Sequence, residues 1–310
     1  MIIIEKNNEF QLDKPSIVMI GKFDGVHMGH RELLKVQEMH RKEGLQSVIF
    51  TFDPSPAELF SGKIVPELST KEEKRHLFKE LGADVLIEFS LTKESAAIKP
   101  EAFVEQFLVK QCMAKRVVAG TDVTFGDKGA GDANLLMALG AVHGFAVDLV
   151  DKISMDGAEV SSTRIRSLLL DGDMEEVRKL LGEPYHFRGI VEHGNQLGRT
   201  IDMPTANIIP EMKKLLPPNG VYFSKCRIDG KIYHGVSNIG RKPSVEQEHP
   251  IGIETYIYDF TEDIYDKTMD LWFYHYERPE KKFDSVESLA KQLRMDKENG
   301  KVFWREEHDL

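Results

Sequence analysis

Cysteine is almost missing from this sequence. Its 310 residues include two, Cys112 and Cys226, far apart and in no CxxC pair. That number alone excludes a disulfide framework and a multi-cysteine structural zinc site. Long apolar runs are missing too. No stretch approaches the roughly 18 residues a spanning helix needs, and Met1-Ile2-Ile3-Ile4-Glu5-Lys6 is too short an apolar start for a secretory leader. The expectation is a cytoplasmic protein with no membrane partner. Basic blocks are absent: 41 Lys+Arg stand against 51 Asp+Glu, a net charge of −10, and both parts are acidic when the chain is divided at Gly182. This disfavours a nucleic-acid partner, while a local site can still bind a small anion. Neither standard phosphate loop occurs. The stretch Gly194-Asn195-Gln196-Leu197-Gly198-Arg199-Thr200 has the wrong spacing, Arg in place of Lys, and Met203-Pro204 where a helix should start. No GxGxxG follows the first apolar strand, which disfavours an ordinary dinucleotide-binding dehydrogenase.

The residues that are present fit an ordinary globular chain long enough for two cores. From Ser16 to about Leu181 strand-like and helix-like segments alternate. Five short apolar runs read as buried parallel strands: Ser16–Ile20, Gln46–Phe52, Asp84–Phe89, Arg116–Ala119 and Ala146–Val150. The segments between them read as helices, with a capping box at Ser69-Thr70-Lys71-Glu72, a helix from about Pro100 to Met113, and a cap at Asp132. Alternation of this kind predicts an α/β doubly wound parallel sheet whose ligands sit at the carboxyl ends of the strands. Gly182-Glu183-Pro184-Tyr185 breaks the pattern, predicting domains 1–182 and 183–310. Beyond it, Asp229-Gly230 between two alternating runs is a hairpin signal. Further strands lie at Ile251–Tyr258 and Met269–Tyr276. Asp284-Ser285-Val286-Glu287 is a capping box for a last helix bearing Val286, Leu289, Ala290 and Leu293. This part reads as a small antiparallel β-barrel with a closing helix.

The first strand runs into Gly21-Lys22-Phe23-Asp24-Gly25-Val26-His27-Met28-Gly29-His30, and a helix follows at once. A helix N-terminus offers free N–H groups to phosphate. His27 and His30 add two donors for charge that grows on a phosphoryl oxygen, and Gly29 removes a side chain where phosphate would approach. A packed histidine pair or an i,i+3 metal site is the blander alternative. Downstream, Ser161 or Ser162 can cap a helix from which Arg164 reaches a phosphate. In the second part, Thr205 and Asn207 lie two apart on an extended segment and point the same way. A hydroxyl and a carboxamide oxygen there can ligate Mg²⁺, although a plain polar turn reads the same way. Glu254 shares a strand face with Tyr256 and Tyr258. Arg278 can clamp phosphate or pair with Glu280.

Together these residues resemble the bifunctional riboflavin kinase/FMN adenylyltransferase family, the prokaryotic FAD synthetases, over nearly the whole chain. Gly21 to His27 with Gly29-His30 looks like the HxGH nucleotidyltransferase signature of a Rossmann-like domain. Thr51-Phe52-Asp53-Pro54, Gly120-Thr121-Asp122 with Phe125-Gly126, and Ser161-Ser162-Thr163-Arg164-Ile165-Arg166 follow in the family's order. Gly198-Arg199-Thr200 with Pro204-Thr205-Ala206-Asn207 looks like the flavokinase signature, and Val236-Ser237-Asn238-Ile239-Gly240, Glu254-Thr255 and Arg278-Pro279-Glu280 come after it. The family usually has His where Ser55 stands, an aromatic at Val123, Gly-Phe before the Pro where Asp202-Met203 stand, a small-residue loop at 245–248, and Tyr-Gly where Tyr265-Asp266 stand.

The resemblance implies an enzyme that phosphorylates riboflavin to FMN with MgATP and adenylates FMN to FAD and pyrophosphate. ATP, riboflavin and FMN are then its substrates and Mg²⁺ its cofactor. It gives His27 and His30 the adenylyl-transfer role, and Glu254 the role of base for the riboflavin 5′-hydroxyl. Gly21, Phe23, Asp24, Gly29, Ser161, Ser162, Arg164, Gly198 and Arg199 fall to nucleotide and phosphate. Asp53, Asp122, Phe125 and Arg278 fall to flavin, and Thr205 and Asn207 to the metal. Two alternatives stay open on sequence alone: a single adenylyltransferase activity with a flavin-binding second half, or a non-catalytic flavin sensor.

Overall fold

The computed structural model of the chain describes residues 1–6, 8–194, 203–241 and 251–307. The backbone forms two compact units, Met1–Ser162 and Thr163–Leu310, so the division by packing falls upstream of the change of pattern at Gly182.

In the first unit, strands β1 (Ile2–Glu5), β2 (Ser16–Ile20), β3 (Gln46–Asp53), β4 (Val85–Ser90), β5 (Ala114–Gly120) and β6 (Ala146–Val150) form one sheet in the order β1-β4-β3-β2-β5-β6. Every pairing is parallel. Five of these strands are the expected apolar runs. The sixth, β1, is an edge strand whose Ile2 and Ile3 are exposed, so it lacks the two-sided burial that makes an apolar run conspicuous. The helices are α1 (Met28–His40), α2 (Pro56–Ser61), α3 (Lys71–Glu80), α4 (Lys93–Ala96), α5 (Pro100–Phe103, continued as a π-helical stretch Val104–Gln111) and α6 (Ala133–His143). The expected helix to Met113 therefore ends two residues early and is wound mostly as a π-helix. A small hairpin, β7 (Ser154–Met155) and β8 (Ala158–Glu159), follows β6.

Alternate strand residues serve opposite cores. Val18, Val48, Phe50, Ile87 and Val117 join Phe103, Phe107 and Leu136 on one face. Ile17, Met19, Ile49, Leu86 and Val118 join Leu33 of α1 and Phe78 of α3 on the other. Helix α3 starts one residue later than the Ser69 box predicts. Thr70 is the cap: its hydroxyl accepts from Glu73 N–H at 3.3 Å, and the Glu73 carboxylate accepts from Thr70 N–H at 2.9 Å.

The second unit contains most of α7 (Ser162–Asp171), then α8 (Met174–Leu181) and the strands β9 (Tyr185–Ile190), β10 (Thr205–Ile208), β11 (Gly220–Ile228), β12 (Lys231–Arg241), β13 (Ile251–Ile257) and β14 (Thr268–Pro279), followed by α9 (Val286–Glu306). The sheet order is β10-β13-β12-β11-β14-β9, all antiparallel. Its two edges meet just past β9, where Glu192 N–H donates to Asn207 O at 2.8 Å in an isolated bridge. That bridge rolls the sheet into the expected barrel. Asp229 and Gly230 both have positive φ, 48° and 80°, the geometry a two-residue primed hairpin turn demands. Tyr185, Phe187, Tyr222, Leu271 and Phe273 fill the interior.

Helix α9 is capped by Ser285 with Ser288 as its reciprocal partner, one residue later than the predicted Asp284 box. Its buried stripe is Ala290, Asp296, Gly300 and Trp304, and Val286 is exposed. Gly300 is small because Tyr258 lies against it: a Cβ there would stand 2.5 Å from the Tyr258 hydroxyl.

Candidate functional site

The Gly21–His30 loop leaves the carboxyl end of β2, the central strand flanked by β3 and β5. This is the switch point where open α/β sheets bind ligands. The loop turns through three left-handed residues, Phe23 (φ 50°), Gly25 (φ 85°) and Val26 (φ 42°). A β-branched residue pays a steric penalty in that region. Burial of Val26 and Phe23, both 0% exposed, holds the turn in place. Phe23, expected at nucleotide, thus turns its side chain into the core. Its ring lies under the loop, 2.7 Å from where a Gly21 Cβ would stand, and edge-on to His30 at 5.1 Å and to Phe78 at 5.6 Å. A Cβ at Gly29 would meet the His27 ring, at 3.2 Å.

His27 and His30 stack with ring centroids 3.8 Å apart and 19° between planes. Burial lowers the pKa of His27 to about 4, against the opposing pull of the Asp24, Asp122 and Glu159 charges. Burial, then the charge of His27, holds His30 well below the usual imidazole range. Both rings are neutral near pH 7, each with one N–H to donate. The Nδ1 atoms of both are buried and make no hydrogen bond among the described residues. The first turn of α1 carries no acidic side chain, so its amides face the loop without a competing carboxylate.

Asp24 braces this loop. Its Oδ1 accepts from Leu68 N–H at 2.8 Å and Ser69 N–H at 3.4 Å, and its carbonyl accepts from the Ser162 hydroxyl at 2.9 Å. Ser162, the last residue of the first unit, is thus held at the histidine loop, with Ser161 just before it. Asp122 stands exposed just past the carboxyl end of β5. It shares Lys152 with Glu159, at 3.1 and 2.8 Å. Glu159 and Lys152 carry no motif and were missed by sequence reasoning. Asp53 ends β3 and pairs with Lys71 at 2.6 Å. Lys71 also reaches Glu88 and Glu5, which Arg75 holds as well. Phe125, expected at flavin, is 4% exposed and packs on Phe103 in the core.

In the second unit, strand register does what sequence spacing could not. Asn207 of β10 lies directly opposite Glu254 of β13, and Glu254 directly opposite Asn238 of β12. Directly paired residues share a face, so Asn207, Glu254 and Asn238 form one row, with Thr205 two residues along. Asn207 is 4% exposed. Its amide donates to Thr205 O at 3.3 Å, and its Oδ1 accepts nothing among the described residues. Gly194 lies so close over this carboxamide that any side chain there would collide with it. Asn238 and Gly194 are further residues that sequence reasoning did not place at a site. Gly198 and Arg199 lie outside the described residues, as do Asp202 and 245–248.

Arg278, expected at flavin or paired with Glu280, has its partner on the closing helix. It grips Asp296 of α9 with two bonds, 2.8 Å from Nε and 2.5 Å from Nη2, so it ties the closing helix to β14. Glu280 binds Asn219 instead, at 3.1 Å.

Comparison with known proteins gives two successive family matches, FAD synthetase over residues 9–164 and riboflavin kinase over 181–304. A bifunctional riboflavin kinase/FMN adenylyltransferase of Listeria monocytogenes is 37% identical, with 96% of this chain and 95% of that protein covered. One from Bacillus subtilis is 32% identical, covering 91% and 90%. A crystal structure of a Streptococcus pneumoniae protein described as a macrolide-efflux protein superposes with a TM-score of 0.85 at 32% identity, covering 97% of this chain and 98% of that one. Among the described residues no helix is long and apolar enough to cross a membrane.

Proposed function

The chain belongs to the bifunctional riboflavin kinase/FMN adenylyltransferase family, and from that premise we propose that the stacked His27–His30 loop serves adenylyl transfer and the Asn207–Glu254 row serves riboflavin phosphorylation. The protein is a transferase with both activities: it converts riboflavin to FMN with ATP, and FMN with ATP to FAD and pyrophosphate.

In adenylyl transfer a phosphate oxygen of FMN attacks the α-phosphorus of ATP and pyrophosphate leaves. Negative charge grows on the phosphoryl oxygens. His27 and His30, neutral and already held in place, donate N–H bonds there with little reorganisation, and the α1 amides add to the field. Ser161, Ser162 and Arg164 hold phosphate, and Asp122 orients the flavin or nucleotide. In riboflavin phosphorylation the 5′-hydroxyl attacks the γ-phosphorus. Glu254 accepts the hydroxyl proton as the new P–O bond forms.

The observation that carries the second assignment is the buried Asn207 Oδ1, which has no hydrogen-bond partner among the described residues and stands opposite Glu254. A buried carboxamide oxygen two residues along the same strand face from Thr205 fits a hard, oxygen-seeking cation. Thr205 and Asn207 would hold Mg²⁺ there, and the ion would supply neutralisation of phosphate charge. Incubation with riboflavin and MgATP, followed by separation of FMN from FAD, tests the assignments: His27→Ala should stop the sequence at FMN, and Glu254→Gln should stop it at riboflavin. We also place the functional boundary at Gly182. Residues 1–182 alone should then convert FMN to FAD, and a folded fragment that binds ATP but makes no FAD would refute separable sites.

A further inference from the structure

We propose that Phe78 of α3 is a positioning residue for adenylyl transfer, setting the plane of the His30 imidazole through the ring of Phe23. This rests on the reading of His27 and His30 as phosphate donors. Phe23 stands between the two. It meets His30 edge-on at 5.1 Å and 63°, and Phe78 edge-on at 5.6 Å and 85°. Phe23 and Phe78 are both 0% exposed. His30 in turn lies flat on His27. One chain of ring contacts therefore runs Phe78, Phe23, His30, His27. Each edge-to-face contact fixes orientation as well as distance, and close packing leaves little room for the ring to tilt.

Helix α3 is independently locked to the same loop. The carboxylate of Asp24 accepts the N–H groups of Leu68 and Ser69, the two residues before the α3 cap. Lys71 and Arg75 in the first turns of α3 bind Glu5 and Asp53, which end β1 and β3, and Glu88 within β4. A helix fixed at that end holds Phe78, two turns on, at a constant height under Phe23. His30 also lacks a hydrogen bond at Nδ1 among the described residues. Imidazoles are usually oriented by a partner at the second nitrogen; here aromatic packing supplies the orientation.

The test is Phe78→Leu in the full chain, which keeps an apolar core but removes the ring edge. Misplacing a donor by a fraction of an ångström costs about tenfold to a hundredfold in rate. The kcat of FAD formation should fall by about that factor, with KM for ATP changed less than about twofold and riboflavin phosphorylation intact. Water admitted beside His30 should also shift the acid limb of the FAD-forming pH profile upward, since the ring would protonate more easily. His30→Ala is run alongside. If His30→Ala keeps full FAD formation, the reading of the histidines fails. If it is inactive while Phe78→Leu lowers only the melting temperature, leaving kcat and the pH profile unchanged, the positioning role fails. An equal loss of both activities in Phe78→Leu also overturns it, as a general folding defect.

Discussion

The two units build their sites in opposite ways. The first concentrates its donors in ten consecutive residues, Gly21 to His30, and holds them by burial and a strained turn. The second draws Asn207, Asn238 and Glu254 from three strands and aligns them by hydrogen-bond register alone. In the first, electrostatics come from desolvation, which keeps two imidazoles neutral. In the second, a buried carboxamide oxygen has no hydrogen-bond partner among the described residues. A local loop survives a small shift of its surroundings, because its members move together. A row across a barrel depends on each strand keeping step, since a one-residue slip turns every side chain to the other face.

The largest expected effect separates the two directly. Glu254→Gln keeps the shape and removes the proton acceptor, so FMN formation should fall by roughly 10²–10⁴, while supplied FMN still becomes FAD. Chromatography of the flavins after a timed reaction reads both numbers. Next comes His27→Ala or His30→Ala, where loss of one preorganised donor costs on the order of 3 kcal/mol, about a hundredfold or more in FAD formation. Riboflavin phosphorylation should hold. Equal losses from either variant would mean that the two sites are not independent.

A pH series sharpens the contrast without mutation. His27 titrates near 4 in the fold but near 6.5 once unfolded, so the unfolded chain takes up the extra proton between those values. The stability linked to this group is fully present above about pH 6.5 and is lost as pH falls toward about 4, at most about 3 kcal/mol. FAD formation should hold its plateau down to about pH 5, below the range where an ordinary histidine protonates. A plateau ending near pH 6.5 would show that the imidazoles are solvated. Thermal unfolding across the same range should decline, and His27→Gln should flatten the decline.

Legibility followed the same division. The histidine loop could be read because its chemistry lies within one strand-to-helix turn. The burial of Phe23 and Phe125 was not legible, because an aromatic in a motif looks the same in sequence whether it touches a ligand or props the residue that does. The Arg278–Asp296 pair was not legible because Asp296 lies in another element, and the nearer Glu280 is engaged by Asn219. Asn238 was visible within its motif, but nothing before the register was known placed it beside Glu254. The doubly wound sheet was legible from two-sided apolar runs, and β1 escaped because an exposed edge strand has no such signature.

The Arg278–Asp296 pair gives a smaller effect. Arg278→Lys keeps the charge but loses the planar fork that grips Asp296. Loss of one charge-assisted bond to a carboxylate 2% exposed should cost about 1–2 kcal/mol. The riboflavin KM should stay put while the melting temperature drops. A raised riboflavin KM with unchanged melting would return Arg278 to the flavin.

The smallest effect concerns a departure from the family's pattern. Asp266 stands where the family usually has glycine, and its φ is 62°. Only glycine enters the left-handed region without penalty, with asparagine and aspartate the next most tolerant. The backbone there is engaged, since Asp266 N–H donates to Val191 O at 2.9 Å beside the edge closure at Glu192 and Asn207. Asp266→Gly relieves the side chain's strain but widens the unfolded ensemble, and the two terms oppose each other. Stability should therefore change by less than about 1 kcal/mol, with FMN formation unaltered. Asp266→Val adds a β-branched side chain that this region does not accept, and should cost about 1–2 kcal/mol and loosen the barrel edge near Asn207. If Asp266→Gly instead raised FMN formation severalfold, the aspartate itself would be restraining the kinase half, and the barrel site would be tuned at its edge as well as along its row.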